Sequence, residues 1–298
     1  MKIFLTIFTI FLFLYSANAQ AGDEDIAKQN IISEISNSLA ASLENIIGGE
    51  GDTEVKISGG VDLHPSFSIM TVRPLAIHPE VDAWFVQLQL NETKVRASGR
   101  YSINTGVGYR KLSSNKNSFT GGNVFIDWDE KGNARTSVGF ELRSSAFEAI
   151  GNYYRAISGG KTVGAYTERA LDGIELSLVG EVPYLPWANI IANHYEWRAD
   201  QNSKDSKGDK FSLEMVLTPN FIVEAGSDDN NLDGANNFVK AYLIFPARER
   251  VAASNNFIGE TAFSDTDMSG ELLSKVRRTN TIIVESEGTG VVIGRTSE

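Results

Sequence analysis

The sequence predicts an all-β protein, a transmembrane antiparallel β-barrel of about 12 strands. Two observations lead to this fold class. The chain opens with an export signal, and no later apolar run approaches the about 20 residues of a membrane-spanning helix. The rest of the chain divides into short segments in which apolar and polar residues alternate. Because unpaired backbone amides are costly in lipid, such an exported chain can enter a membrane only as a closed barrel.

The first 19 residues have the three parts of a secretory signal peptide. Lys2 provides the positive start, residues 3–15 are almost wholly apolar, and Ala17-Asn18-Ala19 is a small-x-small cleavage site. We therefore expect cleavage near Ala19 and a mature protein that begins at Gln20. The predicted localisation is the outer membrane, where bacterial β-barrels reside.

Composition narrows the possible functions. The net charge is −11, or −12 once Lys2 has left with the signal peptide, and an acidic chain is a poor partner for nucleic acid. The chain has no cysteine, which excludes disulfides, thiolate metal sites and a cysteine nucleophile. Glycine is frequent and proline is rare, as expected for strands joined by turns.

Residues 20–50 predict a periplasmic helix and linker ahead of the barrel. Asp23 or Asp25 can cap the helix, and Gly48-Gly49 can end it. Between these signals one apolar stripe recurs at steps of four, four, four and three, formed by Ile31, Ile35, Leu39, Leu43 and Ile46.

From residue 53 onward the period changes to two. Tyr101, Ile103, Val107 and Tyr109 share one face of a strand, and the residues between them are mostly small or polar. Tyrosines that bracket aliphatic residues are typical of an apolar band edged by aromatic girdles. The predicted girdle residues are Trp84, Tyr101, Tyr109, Trp128 and Trp187.

The polar faces of the strands are predicted to line the lumen, since a lysine or arginine facing lipid costs about 2–4 kcal/mol at mid-membrane. The candidate lumen-facing residues are Asn104, Arg110, Asp127, Glu141, Arg143, Glu175, Glu181, Glu214 and Lys240. These side chains either grip a threaded tail or pair with one another in a hydrated interior, and the pattern fits both.

Twelve strands are predicted within a barrel domain that spans residues 51–247. They are 53–61, 66–74, 82–91, 98–111, 118–129, 134–144, 148–157, 171–183, 186–198, 208–218, 221–228 and 236–246. Short links such as 182–186 alternate with long polar links such as 158–170 and 198–208. Because bacterial barrels have short periplasmic turns and longer outer loops, the first strand would run outward from a periplasmic N-terminus.

Several ordered stretches between about residues 50 and 250 are distinctive. They are FVQLQL (85–90), INTGVGYR (103–110), GNVFIDWD (122–129), SVGFELR (137–143), NYY (152–154), ERALDG (168–173) leading to VPYLPW (182–187), and SDDN (227–230). Together they resemble the β-domain of inverse autotransporters, the intimin and invasin family. The resemblance implies an outer-membrane barrel that anchors and translocates a C-terminal segment.

The resemblance extends into the tail, residues 248–298. VRRTNTIIVE (276–285) resembles the family segment that threads the pore and carries a passenger to the surface. It implies a pore-threading tail with Met268, Leu272, Val276, Arg277, Asn280 and Glu285, of which Met268, Leu272 and Val276 join Leu273 in a short helical stripe. Only thirteen residues follow Glu285, so no passenger module is expected, and the exported part would be little more than 288–298.

The implied function is surface display or adhesion reduced to the barrel, without a cofactor. The expected partners are outer-membrane lipid, the barrel-assembly machinery, periplasmic chaperones, and a separate passenger chain or surface ligand. Two alternatives remain open. One is a small passive channel, if the tail leaves the lumen. The other is a soluble periplasmic β binding protein, which the aromatic-edged outward faces argue against.

Metal and catalytic interpretations find little support. His64, His78 and His194 share no short spacing with another ligand. The stretch 229–234 begins like a calcium loop, but Lys240 stands where the liganding glutamate is expected. No hydroxyl nucleophile has a recognisable base partner. We therefore predict no metal, no catalytic residue and no enzymatic activity.

Overall fold

The structure is a computed structural model that describes residues 50–60, 66–95, 98–200, 204–246, 250–286 and 290–292. All of them belong to one unit, Glu50–Glu298. The predicted signal peptide with its cleavage site near Ala19, the N-terminal helix and His64 lie outside the described residues, as does most of 288–298.

Twelve antiparallel strands form a closed barrel, which confirms the predicted fold class. The barrel closes because the first strand pairs with both the second and the last. The barrel strands are β1 (Thr53–Gly60), β2 (Ser66–His78), β3 (Asp82–Val95), β4 (Ser98–Leu112), β5 (Ser118–Asp129), β6 (Ala134–Ser144), β7 (Phe147–Ala156), β10 (Asp172–Val182), β11 (Leu185–Arg198), β12 (Ser206–Thr218), β13 (Phe221–Asn230) and β14 (Gly234–Phe245).

Four short strands form a second sheet that is separate from the barrel wall. They are β8 (Lys161–Val163), β9 (Tyr166–Ala170), β15 (Val284–Ser286) and β16 (Gly290–Val292), in the order β16-β15-β9-β8. The sequence predicted 158–170 only as a long polar link between barrel strands, and the structure adds two short strands within it, β8 and β9. The local sequence of β9 does not show a strand because its partner β15 lies more than a hundred residues further along the chain.

Three sequence predictions need correction. β2 and β3 each continue four residues beyond their predicted ends. In β2 a bulge between Pro74 and Ala76 lets the strand pass the proline. The helical stripe from Met268 to Val276 contains only one 3-10 turn, Ser269–Glu271. No helix among the described residues is both long and apolar enough to cross a membrane.

The two faces of the barrel wall alternate as predicted. Large apolar side chains on the outward face are well exposed, for example Phe140 at 62%, Leu176 at 59% and Phe211 at 61%. The polar residues between them are buried against the lumen. This is the reverse of a soluble β protein, whose apolar faces are packed inside.

The two ends of the barrel differ. At the end that we call the short-turn end, strands are joined by residues 79–81, 113–117, 145–146, 183–184 and 219–220. The opposite end, the long-loop end, carries the link between β7 and β10, with its two short strands, and the link over 199–205. Two segments of the chain follow the last barrel strand. We call residues 250–267 the strap and residues 268–286 the plug.

Candidate functional site: the lumen and its plug

The plug runs through the barrel from one end to the other. It begins at the short-turn end, where the Met268 amide donates to the Lys116 carbonyl at 2.8 Å. It finishes at the long-loop end, where β15 pairs with β9. The chain after the last barrel strand therefore passes back through the lumen that the strands enclose.

An apolar cluster packs the first part of the plug against the barrel wall. Met268, Leu272, Leu273 and Val276 are all buried there. Their neighbours on the wall are Val72, Ala83, Phe85, Leu112, Phe119 and Phe125. Burying each such side chain contributes roughly 1.5–3 kcal/mol, so this cluster favours a docked plug.

Two wall arginines hold the plug by its backbone. Arg110 donates to the carbonyls of Leu272 at 3.0 Å and Ser274 at 2.6 Å, and Arg143 donates to the Lys275 carbonyl at 2.9 Å. Both arginines also bond to Glu141, at 2.7 and 2.8 Å. The carbonyls that an α-helix would use for its own ladder are therefore taken by the wall, which explains why the helical stripe does not form a helix.

The plug contributes cations that meet carboxylates on several strands. Lys275 pairs with Glu54 on β1 at 2.7 Å, and Arg277 pairs with Glu214 on β12 at 2.9 Å. Arg277 also reaches Glu148 on β7 at 2.8 Å. These pairs tie one short stretch of the plug to widely separated parts of the wall.

The side chain of Arg278 is fully buried in the lumen. It donates to both carboxylate oxygens of Asp127, at 2.7 and 3.0 Å, and both side chains are fully buried. Arg135 reaches the same carboxylate at 2.8 Å. The guanidinium of Arg278 lies 4.3 Å from the centre of the Phe125 ring, close enough for a cation–π contact. Phe125 lies flat against the wall because Gly106 leaves room: a Cβ there would lie 2.3 Å from the ring.

The last part of the plug is held by polar residues of β4, β7 and β10 and by the link after β11. Thr279 donates its amide to Tyr154 at 2.8 Å and its hydroxyl to Glu175 at 3.0 Å. Asn104 donates to the Asn280 carbonyl at 2.8 Å. Glu285, within β15, accepts a hydrogen bond from the Asp200 amide at 2.7 Å.

The structure places all nine candidate lumen-facing residues in buried positions. Seven of them bond to the plug or to a residue that does: Asn104, Arg110, Asp127, Glu141, Arg143, Glu175 and Glu214. Glu181 instead accepts the Ser264 amide of the strap at 3.0 Å, and Lys240 pairs with Glu224 at 3.3 Å. Polar residues of the lumen therefore make both kinds of contact: some bind the tail, and others pair within the wall.

The predicted girdle residues lie near both ends of the outward face. Tyr101 and Trp128 lie towards the long-loop end, on neighbouring strands. Trp84 and Tyr109 lie towards the short-turn end, with ring centres 4.9 Å apart. Trp187 contacts the strap: its ring stacks on Phe257 at 5.5 Å, and its indole nitrogen donates to the Phe257 carbonyl.

Sequence reasoning missed several residues that hold the plug. On the wall they are Glu54, Gln87, Arg135, Glu148 and Tyr154, and within the plug they are Arg278 and Thr279. Gln87 and Glu54 lie on polar faces and were open to the same argument as Asn104. Arg278 follows Arg277 directly, but only the folded lumen shows that both side chains find buried carboxylates.

The acidic stretch 229–234 forms the turn between β13 and β14, where the Asn230 side chain accepts the amides of Leu232 and Asp233. His78 and His194 each bond to one aspartate, at 2.6 and 2.8 Å. Within the described ranges, no three histidine or acidic side chains are grouped closely enough to hold a metal ion.

A closed barrel with an apolar outward face and a polar lumen defines an outer-membrane β-barrel protein. A profile of the family described as "Inverse autotransporter, beta-domain" matches residues 12–280. The chain belongs to this family, as the sequence resemblance implied.

No curated protein matches the chain. A chain solved in work on the in-meso crystallization of membrane proteins is 19% identical, with a TM-score of 0.66 over 80% of this chain and 99% of that one. KdgM porin is 5% identical, with a TM-score of 0.45 over 66% of this chain and 99% of its own. Outer membrane phospholipase A from Escherichia coli is 9% identical, with a TM-score of 0.41 over 68% and 96%. The first likeness supports the fold, and the other two are too remote to bear on function.

Proposed function

We propose that the barrel anchors the chain in the outer membrane and leads its own C-terminal tail through the lumen, from the periplasm to the cell surface. In this orientation the short-turn end faces the periplasm and the long-loop end faces outward, as in bacterial barrels generally. The signal peptide of residues 1–19 and the helix and linker of residues 20–50 would then precede the barrel on the periplasmic side.

The path of the plug carries this proposal. It enters beside Lys116 at the short-turn end and leaves beside β9 at the long-loop end. Between these points the wall supplies partners for its carbonyls and for its cations. A segment with matched partners along the lumen is held after transit, so the tail both crosses the barrel and closes it.

The proposal includes no catalytic step. Asp127 and Glu141 are fully buried and paired with arginines, and Glu214 is paired with Arg277. Carboxylates held in this way serve attachment rather than proton transfer. The proposed partners are membrane lipid, the assembly machinery and chaperones that insert outer-membrane barrels, and a surface ligand or separate passenger chain at the emerging tail.

Antibody labelling of an epitope tag placed after Glu298 tests the topology, first on intact and then on permeabilised cells. A tag in the loop 199–205 is the control for the outer side, and a tag in the turn 219–220 is the control for the periplasmic side. We expect the C-terminal tag to label intact cells as the 199–205 tag does. Labelling only after permeabilisation, as for the 219–220 tag, would contradict transit of the tail.

A further inference from the structure

The strap presents a patch of large apolar side chains away from the barrel. Phe257 is 62% exposed, Ile258 is 69% exposed and Phe263 is 52% exposed. Tyr184, in the turn between β10 and β11, adds a fourth side chain at 53%. Such a cluster on a chain segment outside the strands is unusual on a surface in contact with water.

Backbone hydrogen bonds fix this patch to one hairpin of the barrel. The Gly259 amide donates to the Tyr184 carbonyl at 2.9 Å, and the Tyr184 amide donates to the Ala262 carbonyl at 3.0 Å. Trp187 adds its indole hydrogen bond to the Phe257 carbonyl at 2.9 Å and its ring stack on Phe257. The height of the patch along the barrel is therefore the height of the β10–β11 turn.

The outward residues of the neighbouring strands give that height. Going down towards the short turns, the polar pair His194 and Asp209 on β11 and β12 is followed by apolar Ile190 and Phe211. A strand tilted by 35–45° descends roughly 2.5 Å per residue, so an apolar band of about 25 Å takes up about ten residues. Counted from His194 along β11, the band ends near Tyr184. The turn and the strap therefore lie at the lower edge of the apolar band.

The far side of the barrel has an aromatic pair at the corresponding edge. There Trp84 on β3 and Tyr109 on β4 place their ring centres 4.9 Å apart, and both come from the wall. At the β10–β11 hairpin the wall supplies only Trp187 for the ring stack, and the strap supplies its partner, Phe257. The strap thus continues the barrel's lipid-facing surface.

We propose that Phe257, Ile258 and Phe263 insert into the boundary between headgroups and acyl chains of the membrane leaflet at the short-turn end. The strap is then a lipid anchor that completes the aromatic girdle beneath the β10–β11 hairpin. Aromatic and aliphatic side chains are favoured at this depth. The proposal does not depend on where the tail ends, because the strap precedes the plug.

Because the chain has no native cysteine, a single introduced cysteine can be spin-labelled specifically. The full-length chain carrying Ile258→Cys would be labelled and reconstituted in vesicles of phosphatidylethanolamine and phosphatidylglycerol. Phe211→Cys, in the middle of the apolar band, is the lipid control. Thr266→Cys, an exposed polar position on the same strap, is the aqueous control. Collision rates with oxygen and with a water-soluble nickel chelate are then compared for the three labels.

We expect the ratio of oxygen to nickel collisions at residue 258 to exceed the ratio at residue 266 severalfold and to approach that at residue 211. A ratio equal to that at residue 266 would place the patch in water, overturn the lipid assignment and leave the patch as a surface for a protein partner. Since Ile258 makes few contacts, labelling it does not disturb the fold, and a heat-modifiable gel shift verifies the barrel in each variant.

Discussion

The plug and the strap are consecutive in sequence but are attached to the barrel in different ways. The plug is buried, and charged side chains from several strands hold it, among them Glu54 on β1, Asp127 on β5 and Glu214 on β12. The strap is largely exposed, and backbone bonds to one hairpin, with Trp187, hold its apolar part. The plug can therefore dock fully only in a closed barrel. The strap as a whole also bonds to Asp52, to β12 and to the β6–β7 turn, but its apolar part, residues 257–263, is held by the β10–β11 hairpin.

The energetics of the two attachments differ as well. Removing one partner of a buried ion pair leaves an uncompensated charge and costs about 3–5 kcal/mol. Removing one neutral hydrogen bond at a half-exposed site costs only about 0.5–1.5 kcal/mol. Substitutions in the plug should therefore affect the whole barrel, and substitutions in the strap should have local effects.

Removal of the plug should have the largest effect. A chain that stops after Asp267 loses both the apolar cluster around Leu272 and the ion pairs of Arg277 and Arg278. In planar bilayers we expect the full-length chain to be electrically silent and the shortened chain to give steady current steps. A chain that stops after Ser286 keeps the plug and should stay silent. Equal currents from all three chains would show that the plug does not close the lumen.

The buried pair of Arg278 and Asp127 tests the plug's attachment directly. We expect Arg278→Ala to lower the free energy of unfolding in detergent by about 3–5 kcal/mol, because Asp127 loses a partner inside the lumen. Lys207→Ala, which breaks an exposed pair with Glu196, is the matched control and should cost less than about 1 kcal/mol. Denaturant unfolding followed by tryptophan fluorescence measures both. If the two variants lose equal stability, the plug is attached no more firmly than a surface pair.

A substitution that disturbs the packing of Phe125 between Gly106 and Arg278 should lower the stability by a smaller amount. A Cβ at Gly106 would meet the Phe125 ring, so Gly106→Ala should destabilise the protein by about 1–3 kcal/mol. Gly180→Ala is the control, since a Cβ there has no heavy-atom neighbour within 4 Å. The same unfolding assay compares the two, and equal stabilities would mean that Phe125 moves aside without loss.

Much of the fold could be predicted because the barrel wall repeats every two residues. Tyr101, Ile103 and Val107 already distinguish lipid from lumen. For that reason ten of the twelve barrel strands have both ends within two residues of prediction. Pro74 misled the prediction for β2, since a bulge is a tertiary adjustment that composition does not show. The short sheet was missed because β9 and β15 become strands only by pairing with each other.

The site was less predictable than the fold. The polar faces identified Asn104, Arg110 and Glu175 as facing the lumen, but not which of them would contact the tail. Those contacts join residues more than a hundred positions apart, such as Asn104 with Asn280, and no local pattern encodes them. The prediction of a helix around Leu272 was wrong for the same reason, because Arg110 takes the carbonyls that a helix needs.

Trp187 tests the claim that the apolar part of the strap is attached locally. Trp187→Phe keeps an aromatic ring but removes the hydrogen bond to the Phe257 carbonyl. We expect the Gly259 amide of the strap to exchange its hydrogen about 2- to 10-fold faster, in line with the loss of one hydrogen bond. The Val276 and Thr279 amides of the plug should exchange as before. Trp128→Phe, on the opposite edge of the outward face, should change neither, and equal acceleration in strap and plug would remove the distinction between them.

The junction between strap and plug gives the smallest and most local test. The Ser269 side chain and amide donate to Asp267, and these bonds hold the pKa of the Asp267 carboxyl below its usual range. Because the folded pKa is lowered, the stabilising contribution is present above the unfolded pKa and is lost as the pH falls through the folded pKa. Carbon-13 NMR titration in detergent should show this lowered pKa, and Ser269→Ala should raise it towards the ordinary value. An unchanged pKa in Ser269→Ala would mean that the entry turn of the plug does not order Asp267, and that the strap passes into the plug without a fixed corner.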